Sequence, residues 1–262
     1  MMNNELNQLE TAWAGNTCLC FDILDSTQEY AKSLAKKEKV HGTLICAEEQ
    51  TAGKGRRGRV WQSPKGTAIY MSLCLEPKMQ PDRVAGLTLV MALASAMGIR
   101  EATGADSLIK WPNDLVINGK KVCGILTEMI FKEGGYAVII GTGINVNAEN
   151  FPEEIRETAT SLKLELGKTF DKDAIIAAVM KYFEIFYEQY EKTEDLSLLK
   201  ESYEEILANK DQNVRVLDPK GAYEGVAKGI NDAGNLIVVR EDGSNVEIDS
   251  GEVSVRGIYG YV

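Results

Sequence analysis

The segment TLICAEEQTAGKGRRGRVWQSPKGTAIYMSLCLEP, residues 43–77, decides the fold prediction. It begins with the apolar run TLICAEE and ends with the run AIYMSLCLEP, and both have a length and composition typical of β-strands. Pro77 ends the second run, because proline cannot donate a hydrogen bond to a sheet. Between the runs lies GKGRRGR, in which three glycines are interspersed with four cations. The sequence therefore predicts two strands joined by a flexible, basic loop.

Strand and helix patterns continue on both sides of this segment. The run CLCFDILDS predicts a strand, and TQEYAKSLAKKEK (27–39) predicts a helix that Ser26 or Thr27 could cap. Two more helices are predicted at 81–102 and 171–192. Three more strands are predicted in SLIKW, VCGILTEMIF and YAVIIGTGINVN, with turns at NGKK and KEGG. This order indicates an α+β domain with a mixed or antiparallel sheet and helices packed on one face.

The last part of the chain has a different pattern. A short helix is predicted in SLLKESYEEIL (197–207), and five short strands follow in NVRVL, YEGVAKGI, NLIVV, NVEI and EVSV. The turn sequences DPKG, NDAG and EDGS separate these strands. Closure into a barrel removes the exposed edges that such short strands would leave. We therefore expect a large domain at 1–209 and a small β-barrel at 210–262.

Composition and charge exclude several classes of protein. The chain is 44% hydrophobic and 26% charged, with a net charge of −10, as in an ordinary soluble protein. No secretory signal is visible, and the apolar run 84–99 is shorter than the ~20 residues of a membrane span. A buried core helix and a cytoplasmic protein are therefore expected. The five cysteines have no CxxC spacing and His41 is the one histidine, so we expect reduced thiols, no zinc site and no His-dependent hydrolysis.

The basic loop has three interpretations. It could be a solvated turn, or a nucleic-acid-binding patch, which is a general interpretation of basic clusters. It could also bind an anion, because glycines let backbone N–H groups approach a phosphate and arginines donate paired hydrogen bonds to it. Anion binding is favoured, since the chain is acidic overall and has no second basic run. The loop is not a Walker loop, because the serine or threonine that holds magnesium is missing.

Two further segments carry polar residues near strand ends. In IKWPNDLVINGKKVCGI (109–125), Pro112 fixes the backbone, and Asn113 and Asp114 follow as a polar pair that could orient a ligand or a metal-bound phosphate. The lysines of this segment could instead be solvated side chains, and NGKK is also a good hairpin turn. In GTGINVN, Asn145 suits hydrogen bonding to a nucleobase or ribose, with a plain bulge as the alternative.

The biotin–protein ligases are the family that these segments resemble. The resemblance runs, in order, through DSTQEYA, EEQTAGKGRRGRVWQSPKGTAIYMS, KWPNDLVINGKKVCGILTE and GTGINVN, and residues 210–262 resemble the family's SH3-like C-terminal domain more weakly. It implies a class II synthetase-like fold and an ATP- and Mg²⁺-dependent ligase. Biotin would be joined to ATP as biotinyl-5′-AMP, with release of pyrophosphate. It would then pass to one lysine of a biotin carboxyl carrier domain of acetyl-CoA carboxylase or a related carboxylase.

The resemblance also implies roles for individual residues. Lys121 and Arg56 would be catalytic, and Asp114 is the candidate ligand for the Mg²⁺ that accompanies ATP. Biotin would be bound by Ser26, Thr27, Gln28, Gln50, Lys54, Gly55, Arg56, Lys121 and Gly124. The adenylate would be bound by Arg56, Arg57, Arg59, Trp61, Asn113, Asp114, Lys121, Asn145 and Arg256. The sequence departs from the family at Gln28, where asparagine is usual, and at Lys54, where arginine is usual.

Three other functions stay open at this point. A lipoate–protein ligase shares the fold and the chemistry, a nucleic-acid-binding module would use the basic loop, and a biotin sensor would bind without turnover. Some family members begin with a DNA-binding helix-turn-helix. Since the first predicted strand begins near residue 17, we expect no DNA binding here. A homodimer formed through the sheet is also considered.

Overall fold

A computed structural model of the protein describes residues 9–218, 221–250 and 254–257. A seven-stranded sheet in the order β1-β2-β3-β7-β6-β5-β4 forms its larger part. The strands are β1 (Thr17–Leu24), β2 (Thr43–Gln50), β3 (Ala68–Leu75), β4 (Leu108–Lys110), β5 (Asp114–Ile117), β6 (Lys120–Lys132) and β7 (Gly135–Asn145). β1 and β2 are parallel, and the other neighbouring pairs are antiparallel. The predicted mixed sheet is confirmed.

Five α-helices accompany the two sheets in the described part of the chain. They are α1 (Thr27–Ala35), α2 (Gly86–Thr103), α3 (Leu162–Leu166), α4 (Lys172–Thr193) and α5 (Lys200–Glu205). The segment Pro81–Thr103 is long and apolar enough to cross a membrane, but 72% of its most apolar window is buried in the protein. It contacts α4 closely, because a Cβ on Gly98 would lie 2.6 Å from the backbone nitrogen of Val179. α2 is therefore a core helix, as predicted.

Apolar residues on both faces of the sheet allow helices to pack on both. Leu44, Leu73 and Val138 belong to the main core with α2 and α4. Their sequence neighbours Ile45, Cys74 and Ile139 point the opposite way and pack against Ala31 and Ala35 of α1. The predicted helical layer on one face is confirmed for α2 and α4. α1 lies on the other face, because its small alanines fit closely against that side of the sheet.

Several element boundaries differ from the prediction. α1 ends at Ala35 rather than at residue 39, because residues 36–39 are exposed and have no apolar surface to bury. Ser26 is the N-cap residue of α1, which confirms one of the two predicted positions, but its side chain makes no capping hydrogen bond. The last helix covers only Lys200–Glu205 of the predicted 197–207. The predicted turn at NGKK is confirmed, but the strand before it, β5, was not predicted.

The C-terminal part is a five-stranded antiparallel sheet in the order β11-β10-β9-β8-β12. Its strands are β8 (Asn213–Leu217), β9 (Tyr223–Ile230), β10 (Leu236–Val239), β11 (Asn245–Ile248) and β12 (Ser254–Gly257). These are the five short strands that were predicted for a small SH3-like domain. Trp111 joins this part to the large sheet, because its indole N–H donates to the carbonyl of Gly234 at 3.0 Å. Arg256 lies in β12 opposite Arg215, and its side chain is outside the described structure.

Candidate active site

A cavity of ≈ 50 Å³ lies between the start of α1, the basic loop and strands β3, β6 and β7. The structure brings most of the predicted ligand-binding residues together around it. Those that line it are Ser26, Thr27, Gln28, Gln50, Lys54, Gly55, Arg56, Trp61, Asn113, Lys121 and Gly124. These residues come from segments far apart in the sequence, which meet only because of the sheet topology.

A chain of hydrogen bonds fixes the polar end of the cavity. The side-chain carbonyl of Gln50 accepts from the backbone N–H of Thr27 at 2.9 Å and from its hydroxyl at 3.1 Å. Gln50 also donates to the hydroxyl of Ser63 at 2.9 Å. Ser72 donates to the hydroxyl of Thr27 at 2.9 Å. Sequence reasoning missed Ser72, because a serine in an apolar strand carries no signal until the strand's neighbours are known.

Gln28, one of the two positions that depart from the sequence pattern described above, is held beneath this polar end. Its amide nitrogen donates to Glu128 at 2.9 Å and to the carbonyl of Ile139 at 3.2 Å. Its amide oxygen lies over Gly141, where an added Cβ would be 2.5 Å away. A side chain at position 141 would therefore displace the amide of Gln28, which Glu128 and Ile139 hold in place.

Three buried polar atoms at the cavity have no hydrogen-bond partner among the described residues. They are the hydroxyl of Ser26, the indole nitrogen of Trp61 and the hydroxyl of Thr142. Leaving a buried donor or acceptor unpaired costs about 1–3 kcal/mol, so such atoms are rare in folded proteins outside functional sites. Their position together indicates a cavity built for a ligand with hydrogen-bonding groups.

Trp61 covers one side of the cavity. Its indole packs so closely on β6 and β7 that a Cβ would lie 2.9 Å from it at Gly124 and 2.7 Å from it at Gly143. The ammonium of Lys121 lies 5.2 Å from the centre of the Trp61 ring, within the range of a cation–π contact. Both glycines are therefore required where the indole approaches the strands.

Two cations at the cavity are held by neighbouring polar groups. The ammonium of Lys121 lies 2.6 Å from the carboxylate of Asp114, and these side chains are only 23% and 13% exposed. The guanidinium of Arg56 donates to the side chain of Asn113 at 2.6 Å and to the carbonyl of Ser250 at 2.7 Å. Burial lowers the pKa of Arg56 and the nearby charge of Asp114 opposes that change. Since an arginine pKa starts above 12, the side chain keeps its charge.

The basic loop is folded over this site. Arg57 has a left-handed backbone with φ of 58°, a conformation that residues other than glycine rarely adopt. Lys54, at the start of the loop, contacts Glu29 of α1 at 2.5 Å. Hydrogen bonds from Lys32 and then from Lys54 lower the pKa of Glu29. The loop is thus fastened at Lys54 to α1 and at Arg56 to the C-terminal part.

Other predicted residues do not line the cavity. Arg57 and Arg59 are exposed on the loop. Asn145 donates to the carbonyl of Thr160 at 3.0 Å and so supports the segment that pairs with Lys121. Asp114 contacts Lys121 but is not itself a lining residue. Within the described ranges no group of three or more His, Cys, Asp or Glu side chains is arranged to hold a metal ion.

Sequence comparisons identify the family. The Biotin/lipoate A/B protein ligase family matches residues 20–145, and the biotin protein ligase C-terminal domain matches residues 211–256. The bifunctional ligase/repressor BirA of Bacillus subtilis is 40% identical over 238 residues, which cover 90% of this chain and 73% of that protein. A biotin–[acetyl-CoA-carboxylase] ligase of Paracoccus denitrificans is 31% identical over 89% of this chain and 98% of its own.

Structural comparison agrees with the sequence. The biotin protein ligase from Aquifex aeolicus, solved in complex with biotin and ATP, superposes with a TM-score of 0.82 at 32% identity. The match covers 92% of this chain and 99% of that one. Fold, C-terminal domain and relatives all agree, and the chain therefore belongs to the biotin–protein ligases, a family of ATP-dependent enzymes.

Proposed function

We propose that this protein activates biotin with ATP to biotinyl-5′-AMP, releases pyrophosphate, and transfers the biotinyl group to one lysine of a biotin carboxyl carrier protein. The observation that carries this proposal is the cavity where Lys121 and Arg56 lie beside unpaired buried polar atoms. Two cations suit the carboxylate and phosphate groups that react, and the unpaired atoms suit a ligand with neutral polar groups. The solved Aquifex aeolicus relative in complex with biotin and ATP supports both ligands.

The polar end of the cavity is suited to the neutral ureido ring of biotin. Ser26, Thr27, Gln28 and Gln50 supply hydroxyl and amide groups, which can both donate and accept hydrogen bonds. Gly124 allows Trp61 and Lys121 to lie close to β6, and Lys54 and Gly55 line the cavity as well. The carboxylate end of biotin then extends towards Lys121.

Lys121 is the residue that we assign to the adenylation step. In this step the biotin carboxylate attacks the α-phosphorus of ATP, the bond to the pyrophosphate group breaks, and the two anions must first be brought together. An ammonium ion is a compact charge that can stay with the carboxylate as it attacks. Arg56 can donate two parallel hydrogen bonds to a phosphate, in place of those it donates to Asn113 and Ser250.

The remaining predicted residues are assigned to the nucleotide. We assign Trp61, which lines the cavity, to the adenine ring, and Asn113, which also lines it, to the phosphates. Asp114 does not line the cavity, but it contacts Lys121 and is assigned to the phosphates on that basis. Arg57, Arg59, Asn145 and Arg256 stay predictions for this role. Mg²⁺ would arrive with ATP, since it prefers carboxylate and phosphate oxygens together with water. Asp114 is the candidate protein carboxylate for this ion, because it lies 2.6 Å from Lys121.

Transfer to the carrier requires the basic loop to move. Arg56 and Trp61 line the cavity in which the intermediate would be held, so the carrier lysine has to reach the intermediate past this segment. Opening the loop breaks the contacts at Glu29 and Ser250, after which the amine attacks the mixed anhydride and AMP leaves. We propose the cytoplasm as the site of action and a domain boundary at 209/210. The homodimer stays a prediction.

The experiment that tests this function is modification of a purified biotin carboxyl carrier domain, followed by intact-mass spectrometry. With ATP and Mg²⁺ we expect the mass of one biotinyl group to be added, and an excess of lipoate should not compete. Preferential addition of lipoyl would favour the lipoate–protein ligase, which the Biotin/lipoate A/B family also contains. No addition of either group, with ATP bound, would contradict the proposal.

A further inference from the structure

Three cysteines form a cluster on strands β1 and β2, outside the cavity described above. Cys18 and Cys20 occupy alternate positions of β1, so their side chains point the same way, and their sulfur atoms are 3.4 Å apart. Cys46 is the direct neighbour of Cys20 on the parallel strand β2. All three are partly exposed, whereas Cys74 and Cys123 are buried.

A second cavity, of ≈ 130 Å³, opens beside this cluster. Cys20 and Cys46 line it, together with Glu48 of β2 and Lys172 and Asp173 at the start of α4. Cys18 is not among its lining residues. A small solute in this cavity can therefore reach Cys20 and Cys46, whereas Cys18 is partly exposed outside it.

Hydrogen bonding makes Cys20 the reactive member of the cluster. The contact from Cys18, and then that from Cys46, lowers the pKa of Cys20, because both thiols can donate to a thiolate at that position. The pKa of Cys18 is raised by its contact with Cys20, and the pKa of Cys46 is raised by its contacts with Cys18 and Cys20. Cys20 lines the second cavity, has the sulfur of Cys18 at 3.4 Å and lies opposite Cys46, so it is the accessible thiol whose thiolate two neighbours can stabilise. Since the thiolate is the form that attacks oxidants, Cys20 is assigned as the nucleophile.

We propose that Cys20 and Cys46 are a modification site, at which a peroxide oxidises Cys20 and Cys46 then closes a disulfide with it. In the first step the sulfur of Cys20 attacks one peroxide oxygen, the O–O bond breaks, and a sulfenic acid and water form. In the second step the sulfur of Cys46 attacks the sulfenic sulfur, and a second water leaves with the thiol proton. Overall, two thiols and one hydrogen peroxide give one disulfide and two waters.

Both neighbours of Cys20 lie within the backbone spacing that a disulfide needs. Neighbouring strands lie about 4.8 Å apart, and positions two apart on one strand are separated by about 6.6 Å. A disulfide usually joins Cα atoms about 4.4–6.8 Å apart. Cys46 is assigned as the partner because it lines the second cavity together with Cys20, whereas Cys18 does not.

The disulfide would join the two strands that lead into the candidate active site. β1 ends at Leu24, just before Ser26, and β2 ends at Gln50. Leu24 and Gln50 are themselves partners in the same parallel ladder. Oxidation at Cys20 and Cys46 therefore fixes the spacing of strands that position two ligand-binding residues.

The test is peroxide treatment of the reduced, folded protein, followed by alkylation of remaining thiols, digestion and mass spectrometry. We expect a peptide pair joined through Cys20 and Cys46, with a loss of about 2 Da, that is reversed by dithiothreitol. Cys74 and Cys123 are internal controls, because burial raises the pKa of both. Consumption of Cys20 should be at least about tenfold faster than that of either control.

Two variants test the assigned roles. In Cys46→Ala, Cys20 should stop at a sulfenic acid that dimedone traps, and in Cys18→Ala the oxidation of Cys20 should slow by about tenfold because a hydrogen-bond donor is lost. A disulfide between Cys18 and Cys20 in the wild-type protein would overturn the assignment of Cys46. Consumption of Cys20 no faster than that of Cys123 would overturn the site itself, and this measurement needs no variant.

Discussion

The carboxylate of Asp114 lies 2.6 Å from the ammonium of Lys121, and both side chains are largely shielded from solvent. Asp114 is the first residue of β5 and Lys121 the second of β6, so the hairpin through Asn118 and Gly119 brings them together. Without ligand, Asp114 neutralises the cation that we assign to the biotin carboxylate. Biotin must therefore share or replace this contact when it binds.

Replacing Asp114 with asparagine should tighten biotin binding in the absence of ATP. The variant keeps the shape of the side chain and removes the charge that competes for Lys121, so we expect a severalfold lower dissociation constant by calorimetry. Asp106→Asn is the matched control, because Asp106 pairs with Arg100 away from the cavity. Weaker biotin binding by Asp114→Asn alone would show that Asp114 positions Lys121 and does not compete for it.

The contacts that hold the basic loop over the site should control the dissociation rate of biotinyl-AMP. Arg56→Ala removes the hydrogen bonds to Asn113 and Ser250, so we expect faster release of the preformed intermediate, with a smaller effect on its formation. The released mixed anhydride should then biotinylate unrelated surface lysines in the same solution. The dissociation rate of preformed biotinyl-AMP is the measurement, and Lys65→Ala, outside the cavity, is the control.

Lys54→Arg should have the opposite effect on release. A guanidinium can donate two parallel hydrogen bonds to a phosphate, whereas an ammonium cannot. The new arginine could also keep the ion pair that Lys54 makes with Glu29. We therefore expect slower dissociation of biotinyl-AMP than from the wild-type protein. Equal rates for wild type, Arg56→Ala and Lys54→Arg would contradict the role of this loop as a lid.

Gly141→Ala should weaken biotin binding by displacing Gln28. The new Cβ would lie 2.5 Å from the amide oxygen of Gln28, and the clash should cost about 1–3 kcal/mol in the free energy of unfolding. Adding Gln28→Asn, which shortens the side chain, should restore much of both losses. Urea unfolding and biotin calorimetry on the two single variants and the double variant measure this coupling. Additive losses would show that these residues act independently.

Much of the fold could be predicted because its signals are local. Alternating or continuous apolar runs identify β1, β2, β3, β6 and β7, and the Asn118-Gly119 pair identifies a hairpin turn with positive φ at both residues. β5 was missed because it has four residues and begins with a charged one. α1 was placed on the wrong face because its two alanines give no sign of which side of the sheet they will meet.

The candidate site could be predicted where one segment carries several functional residues. The basic loop and the segment around Lys121 are of this kind. Ser72, Thr142 and Glu128 were missed, because each is an ordinary residue within a strand and acquires a role only through pairing between distant strands. The contact between Arg56 and Ser250 joins residues 194 positions apart, so no local pattern could have indicated it.

Lys121→Ala should lower adenylation far more than it weakens ATP binding. The charge matters most as the carboxylate attacks, so we expect a loss in turnover on the order of a hundredfold or more. Lys120→Ala is the matched control, since it removes the same charge one position earlier in β6. Near-normal turnover in Lys121→Ala would show that this side chain is only a solvated cation at the edge of the site.

Biotin-dependent exchange of labelled pyrophosphate into ATP is the most direct measurement of the proposed activity. It requires only the protein, biotin, ATP and Mg²⁺, and it reports formation of the acyl-adenylate without any carrier protein. We predict exchange that depends on biotin, persists in Lys120→Ala and is nearly lost in Lys121→Ala. No exchange by the folded wild-type protein at saturating biotin and Mg²⁺ would contradict the proposal that this cavity activates biotin.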